Sequence, residues 1–200
     1  TEGSSGTCGE NLTWTLEDGV LTISGTGEMD DYEGYDYFVS IIMFNLPRDL
    51  YPSFPWEWYM DIIVTVIIEE GVTSIGESAF CGCSSLSSVT IPEDVTSIGE
   101  GAFFDCSSLS SITIPGSVTS IGDDAFSYCL NLTAITVDTN NTKYCSQDGV
   151  LFDKTMSTLI TYPARKEGDV YIIPSSVTSI GDYSFFGCGI VSWNSYLLRL

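Results

Sequence analysis

One triplet of apolar residues recurs down the middle of the chain and predicts a series of short strands. It is Leu86, Val89 and Ile91, then Leu109, Ile112 and Ile114, then Leu132, Ile135 and Val137. The last two members of each triplet alternate with polar residues, which is typical of a strand with one buried face. Pro92 or Pro115 then ends the strand, because proline has no amide hydrogen to donate to a ladder.

A second apolar pattern, Val-Thr-Ser-Ile-Gly, follows each proline and predicts another short extended segment. Its glycine turns the chain, and acidic residues follow at once, as in Gly76-Glu77 and Gly122-Asp123. These acids are expected to open a single helical turn that carries an Ala-Phe or Ser-Phe pair. Acidic side chains suit that place, because the start of a helix carries a partial positive charge.

Both patterns belong to one repeated unit of constant length. The first two full copies, Val72–Asp94 and Val95–Ser117, differ at only six positions. A third copy opens at Val118 and a fourth at Val177, while Ile63–Ile68 aligns with the strand end of a unit. Such periodicity predicts a solenoid, in which each unit buries its apolar face only by stacking on its neighbours.

This unit resembles the BspA-like (Treponema pallidum-type) leucine-rich repeat, roughly L-x-x-I-x-I-P-x-x-V-T-x-I-G-x-x-A-F-x-x-C. The matching residues of one unit are Leu86, Val89, Ile91, Pro92, Val95, Ile98, Gly99, Ala102, Phe103 and Cys106. The resemblance covers about residues 61–188. It implies an α/β leucine-rich-repeat solenoid of 23-residue units with short parallel strands and single-turn helices. It also implies a bacterial or protist protein, secreted or at the cell surface, that adheres to host proteins or to other cells.

Two regions depart from the repeat. In the first, alternating strands at Asn11–Leu16 and Val20–Gly25 flank Glu17-Asp18-Gly19, which predicts a β-hairpin. This hairpin is expected to cap the first unit, so that residues 1–60 form a β cap with an aromatic-rich segment and residues 61–200 form the solenoid.

The second departure is an insertion at about residues 140–168. There, Gly149–Phe152 and Thr158–Tyr162 flank a polar turn and predict a second hairpin. Val170–Pro174 is then expected to resume the repeat strand.

Charge narrows the class of partner. The chain has 27 acidic and 6 basic residues, a net charge of −21, and no Lys or Arg lies between Asp49 and Thr142. Such a surface repels phosphate backbones and anionic lipid, so neither nucleic acid nor a membrane surface is expected as a partner. No apolar run approaches the roughly 20 residues of a membrane span.

The chemistry of most enzymes and metal sites is not supported. The chain has no histidine, which removes the commonest general base and most zinc geometries. Adjacent acids such as Asp30-Asp31, Glu69-Glu70 and Asp123-Asp124 are expected to be solvated surface groups or acids at helix starts, because glycoside hydrolysis needs facing carboxylates. The segment Asp138–Thr142 resembles only the opening of a calcium loop. We therefore expect no catalytic residue, no metal and no cofactor.

The cysteines are expected to be reduced. One cysteine occupies the same position in each unit: Cys83, Cys106, Cys129 and Cys188. Stacked side chains in register point in parallel, which favours a buried ladder of thiols, although a strand spacing of about 4.8 Å also permits disulfides. Cys8 and Cys145 lie outside the repeat and are the better candidates if any bridge exists.

The binding surface is expected away from the main sheet, whose outer face is a uniform Ser/Thr ladder such as Ser88, Thr90, Ser111 and Thr113. Cross-strand hydroxyl pairs there are expected to stabilise the sheet. Binding hot spots are enriched in Trp, Tyr and Arg, which concentrate in Tyr35, Tyr37, Trp56, Trp58 and Tyr59 and secondarily in Arg165 and Lys166. The alternative is that the aromatic residues only pack the cap onto the first repeat.

The sequence therefore predicts a non-catalytic binding or adhesion module that recognises a host or extracellular-matrix protein, or a glycan. A structural spacer in a surface protein and a carbohydrate-binding protein that uses the aromatic N-terminal segment are the alternatives. Thr1–Gly6 shows no signal-peptide pattern, so the extracellular location is an implication of the resemblance.

Overall fold

The computed structural model describes residues 3–32, 54–168 and 170–188. Short strands are the main regular elements of these residues. They are β1 Ser4–Gly9, β2 Leu12–Glu17, β3 Val20–Gly25, β4 Gly27–Glu28, β5 Thr65–Ile68, β6 Val72–Ile75, β7 Ser88–Thr90, β8 Ser97–Ile98, β9 Ser111–Ile114, β10 Ser120–Ile121, β11 Ala134–Val137, β12 Tyr144–Gln147, β13 Val150–Asp153, β14 Thr158–Thr161 and β15 Ser179–Ile180. A 3-10 helix spans Glu57–Tyr59.

Equivalent strands of successive units pair in parallel, so the repeat predicted from the sequence is a stack of units. In β9 and β11, Ile112 lies opposite Ile135, its equivalent in the next unit. The strand from the end of each unit contributes to the five-stranded sheet β1-β2-β3-β5-β7 and the two-stranded sheet β9-β11. The Val-Thr-Ser-Ile segments of the first three units form the second side of the stack, as β6, β8 and β10 of a sheet that β4 completes. The predicted leucine-rich-repeat fold is confirmed.

The predicted single helical turns are hydrogen-bonded turns that also link neighbouring units. Within a unit, the Ala79 amide donates to the Gly76 carbonyl, a bond of the 3-10 type. Alternate amides point to the next unit instead, as when Phe80 N donates to Ala102 O at 2.8 Å. Both sets of bonds use backbone groups that would otherwise be buried without a partner.

Columns of identical side chains fill the core between the two sides. The Phe80 ring stacks on Phe103 at 5.3 Å, and Phe103 stacks on Phe126 at 5.8 Å. All three rings are buried. Removing each from water contributes about 1.5–3 kcal/mol, and stacking on the next copy is what makes that burial possible.

The predicted N-terminal hairpin is present as β2 and β3, joined at Asp18 and Gly19. Both turn residues have positive φ, which suits the tight turns of twisted hairpins. The sequence did not predict β1, which pairs antiparallel with β2. Because β3 pairs in parallel with β5, the hairpin continues the main sheet and covers the edge of the first strand of the stack. The division at residue 60 stays a prediction.

The insertion contains the predicted hairpin, β13 and β14, together with an unforeseen strand, β12. It closes the edges of both sheets. The β11 amides of Ile135 and Val137 donate to Gly149 O and Ser146 Oγ, and the β10 amide of Ile121 donates to Tyr144 Oη. Exposed sheet edges are sites of unwanted pairing, so the insertion protects the stack where the regular repeat is interrupted.

The insertion also supplies a degenerate unit. Its strand β14 pairs in parallel with β15, and the Tyr162 ring stacks on Phe185 at 5.2 Å, as one unit's phenylalanine does on the next. Val170–Pro174 keeps the side-chain alternation of the expected repeat strand, with Val170 and Ile172 exposed and Tyr171 and Ile173 packed against the core. The expectation that it pairs as a strand is wrong, since the segment is not a strand. The physical reason is that Gly149 and Ser146 already occupy the β11 edge on which such a strand would pair.

Candidate partner-binding surface

Trp56 lies in the core, so the expectation that it contacts a partner is wrong. It is 0% exposed, and its ring stacks on Phe80 at 5.5 Å with an interplanar angle of 17°. Its indole Nε1 donates to Ala79 O at 2.8 Å. Trp56 therefore takes the place of the repeat phenylalanine before the first full unit. The register of Met60 and Ile63, which precede Cys83 and Leu86 by one repeat length, only pointed to this region, because one repeat length before Phe80 lies Glu57, the residue next to Trp56.

The neighbouring aromatic residues are in different environments. Tyr59 is half-buried beside Trp14, and its hydroxyl accepts a hydrogen bond from Ser4 Oγ at 2.8 Å. Trp56 and Tyr59 therefore fit the alternative that these aromatic residues pack the cap onto the first repeat. Trp58 is 72% exposed and stays a candidate contact residue. Tyr35 and Tyr37 lie outside the described residues.

Arg165 and Lys166 lie at the end of the insertion. The Arg165 backbone amide donates to Leu132 O, and its side chain is exposed. The Lys166 ammonium donates to the Asp148 carbonyl, across the β12–β13 turn. Three full units of the stack separate this pair from Trp58, so the structure does not combine the predicted residues into one site.

The outer face of the main sheet carries the expected hydroxyl ladder. Ser88, Thr90, Ser111, Thr113 and Thr136 are all exposed. Hydroxyl side chains of the ladder lie opposite each other on neighbouring strands, as Thr113 does to Thr136, but no hydrogen bond joins such a pair in the described part of the chain. The stabilisation by these pairs stays a prediction. Hydroxyl groups at other positions of the unit donate to a backbone carbonyl of the preceding unit, as Thr133 Oγ1 does to Ser110 O at 2.9 Å.

A cluster of exposed aromatic and apolar side chains lies instead on the turns of the third and fourth units. We call it the aromatic patch, and it consists of Tyr128 (37% exposed), Leu130 (44%), Tyr183 (55%) and Phe186 (42%). The Phe186 ring contacts Tyr128 edge-on at 4.7 Å and Tyr183 at 5.5 Å. Clustered exposed apolar side chains mark interaction sites more often than isolated ones do.

Both tyrosines of the patch have an unfavourable backbone conformation. Tyr128 has φ 59° and Tyr183 has φ 55°, in the left-handed region that costs an L-residue about 1–2 kcal/mol. At the same positions some units place glycine, since Gly82 and Gly187 match Tyr128 and Gly101 matches Tyr183, and others place the small or short residues Ser78, Asp105 and Asp124 with the same positive φ. The difference in residue type at equivalent positions is visible in the sequence, but only the φ angle shows that tyrosine is strained there. Strained residues retained against an available alternative point to function.

An acidic groove runs beside the second sheet. It has a volume of about 480 Å³, and the acid that follows the glycine in successive units lines it, with Glu77, Glu100 and Asp123 among the lining residues. In the described part of the chain, no group of three or more acidic or cysteine side chains is arranged to hold a metal ion. Nor does any helix of the described residues have the length and apolar character to cross a bilayer.

The cysteines are free thiols. Cys83, Cys106 and Cys129 are buried, and Cys188 is half-buried. The Cys106 thiol donates to Phe80 O and the Cys129 thiol to Phe103 O, so each reaches the phenylalanine carbonyl of the preceding unit. Burial raises the pKa of Cys129 to about 12 and that of Cys8 to about 12, which suppresses the reactive thiolate.

The suggested Cys8–Cys145 pair does not form. Cys8 lies in β1 and Cys145 in β12, in different sheets, and both are free.

The family described as BspA type leucine rich repeat region matches residues 58–166 and 169–195, in six copies. No curated protein sequence matches the chain. A leucine-rich repeat protein from Eubacterium ventriosum ATCC 27560 is 30% identical, with a TM-score of 0.51 over 94% of this chain and 58% of that one.

A leucine rich cell surface protein from Faecalibacterium prausnitzii A2-165 is 25% identical, with a TM-score of 0.58 over 92% of this chain and 68% of that one. The pneumococcal vaccine antigen PcpA is 18% identical, with a TM-score of 0.53 over 91% of this chain and 62% of that one. At that identity, PcpA supports the fold alone. The chain thus spans about three fifths of the length of the Eubacterium and pneumococcal proteins.

Proposed function

Because the chain belongs to the BspA-type leucine-rich-repeat family, we propose that it is a non-catalytic protein-binding module of a secreted or cell-surface bacterial protein. A similar protein is described as a cell surface protein, which supports the proposed location. Leucine-rich repeats are a common scaffold for protein interaction because stacked units present a long continuous surface. Adhesion to a host or matrix protein is the role that we propose for this module.

The observation that carries the proposal is the pair of strained tyrosines in the aromatic patch. Glycine at the positions of Tyr128 and Tyr183 would relieve the backbone, as it does at Gly187 and Gly101. The tyrosines instead place two phenol rings on the surface next to Phe186. Tyrosine is enriched at binding hot spots because it supplies a large rigid contact area and a polar tip.

The test is binding of the whole chain to a panel of purified extracellular-matrix proteins, measured by surface plasmon resonance. The patch variant is Tyr128→Ser combined with Phe186→Ser, and the matched control is Trp58→Ala, which removes an exposed aromatic ring at the other end of the stack. We expect a protein ligand to bind the wild type and the control equally and the patch variant about tenfold or more weakly. Equal binding by all three chains would overturn the assignment of the patch.

The carbohydrate-binding alternative rests on one remaining residue. Trp56 is buried, so only Trp58 among the described tryptophans of that segment offers a ring to a sugar. A glycan array decides between the two roles. Loss of glycan binding in Trp58→Ala, with no protein ligand on the panel, would replace our proposal with the glycan-binding one.

A further inference from the structure

The surroundings of the aromatic patch are acidic on the side facing the earlier units. Asp105 holds the position of Tyr128 one unit earlier, and its amide donates to Ser127 O at 2.9 Å, which places it directly beside that tyrosine. Asp182, which is exposed, precedes Tyr183 in the chain. The repeats that lead up to the patch contain no Lys or Arg, since none lies between residues 49 and 142.

The carboxylate of Asp105 is only partly hydrated and has no counter-charge among the described residues. The residue is half-buried, and burial alone raises the pKa of its carboxyl above the usual value, with no hydrogen bond or cation offsetting it in the described part of the chain. A partly desolvated carboxylate without a partner is unfavourable in the free protein. A cation brought by a partner would meet a stronger electrostatic attraction there than at a fully hydrated surface acid.

We propose that the aromatic patch and Asp105 together recognise a cationic polypeptide segment, whose Lys or Arg side chain pairs with Asp105 while an adjacent apolar side chain packs on Tyr128, Leu130 and Phe186. This inference rests on the proposed function of the patch and adds the chemistry of its partner. Tyr128, whose backbone lies next to that of Asp105, supports the same cation, because the faces of aromatic rings attract positive charge. An anionic partner would be repelled by the net charge of −21.

Charge complementarity favours this occupant over an uncharged one. A neutral ligand would gain from the rings but would leave the Asp105 carboxylate covered and unpaired, which costs free energy. A basic segment satisfies both parts of the surface. The rings and the charge therefore contribute separately to binding, and each can be removed by its own substitution.

The probes are two synthetic peptides of equal length, one alternating Leu with Lys and the other alternating Leu with Glu. Binding to the whole chain is measured by fluorescence anisotropy at low and high salt. We expect the Lys peptide to bind and the Glu peptide not to bind. Tyr128→Ser and Phe186→Ser should each weaken the Lys peptide about tenfold, and Asp105→Asn should weaken it several-fold and reduce the effect of salt.

Glu93→Gln is the matched charge control, because Glu93 is an exposed acid far from the patch in the unit. If Asp105→Asn and Glu93→Gln weaken the Lys peptide equally, the attraction is non-specific and the inference is overturned. If the two peptides bind equally and only the ring variants weaken that binding, the inference that the partner is cationic is overturned, but the proposed function stands. No effect of the ring variants overturns both. Unfolding midpoints of every variant exclude misfolding as the cause.

Discussion

Gly99 is a residue at which a single methyl group should strongly disturb the contact between two units. It sits where the second unit turns directly against the first, and its φ is not in the left-handed region. A Cβ at Gly99 would lie 2.5 Å from Glu77 N and 2.7 Å from both Glu77 Cα and Gly76 C. These are backbone atoms of the turn that follows β6, so they cannot move aside as a flexible side chain would.

The expected cost of Gly99→Ala follows from that contact. Overpacking of a rigid site costs about 1–3 kcal/mol. The shift that relieves it would also lengthen the bond from Gly99 N to Ile75 O, 2.9 Å long, and a lost hydrogen bond costs about 1 kcal/mol more. We therefore expect Gly99→Ala to lower the free energy of unfolding by about 2–4 kcal/mol.

Alanine substitutions at two other glycines separate the cost of steric contact from the cost of an unfavourable backbone conformation. Gly116→Ala places its Cβ no closer than 3.4 Å to any atom, at a residue without positive φ, and should leave stability almost unchanged. Gly27→Ala meets nothing within 4 Å but has φ +104°, so it should cost about 1–2 kcal/mol through strain alone. Urea unfolding followed by tryptophan fluorescence gives the three values. Equal midpoints for Gly99→Ala and Gly116→Ala would show that the units are not packed as closely as described.

Four further predictions concern charge, core, thiols and metal. Asp105→Asn should raise the melting temperature at pH 7. The folded-state pKa of Asp105 is raised, so stability falls as the pH rises through that value, and the gain should vanish below about pH 3.8; a constant gain across the pH range would contradict this. Trp56→Ala should cost about 3–5 kcal/mol and Trp56→Phe clearly less, because only the former removes the stacked ring; equal losses in urea unfolding would argue against the ring ladder. A thiol reagent at pH 8 should label Cys145 in the folded protein, whereas it should label the buried thiols of Cys83, Cys106 and Cys129 only after denaturation. Disulfide-linked peptides from these three cysteines in a mass-spectrometric map would contradict the prediction that they are free thiols. A chelator should leave the melting temperature unchanged, since a drop of many degrees would reveal a bound metal.

The candidate site was predicted less well than the fold. Trp56 and Trp58 are close neighbours in the chain, yet one is in the core and the other is 72% exposed. Because both are tryptophans in an aromatic-rich segment, residue type alone predicts that both lie on the same binding surface. Only the position of each in the stack distinguishes them, because Trp56 occupies the place of the repeat phenylalanine and Trp58 does not. The aromatic patch was missed for a related reason: Tyr128 and Phe186 are far apart in the chain and meet only in the folded stack.

What the amino-acid sequence determined by itself is the repeat: its period, its strands and the residues that fill its core. A constant period brings each apolar side chain beside its own copy, so the neighbours of Phe103 are set by the spacing alone. Tertiary structure decided everything that depends on a departure from the period. The insertion folds back on the open edges of β10 and β11, and it thereby takes the place in which Val170–Pro174 would have paired. The sequence of Val170–Pro174 alone does not show that the insertion already occupies this edge. A strand forms only where a sheet edge is free to accept its hydrogen bonds.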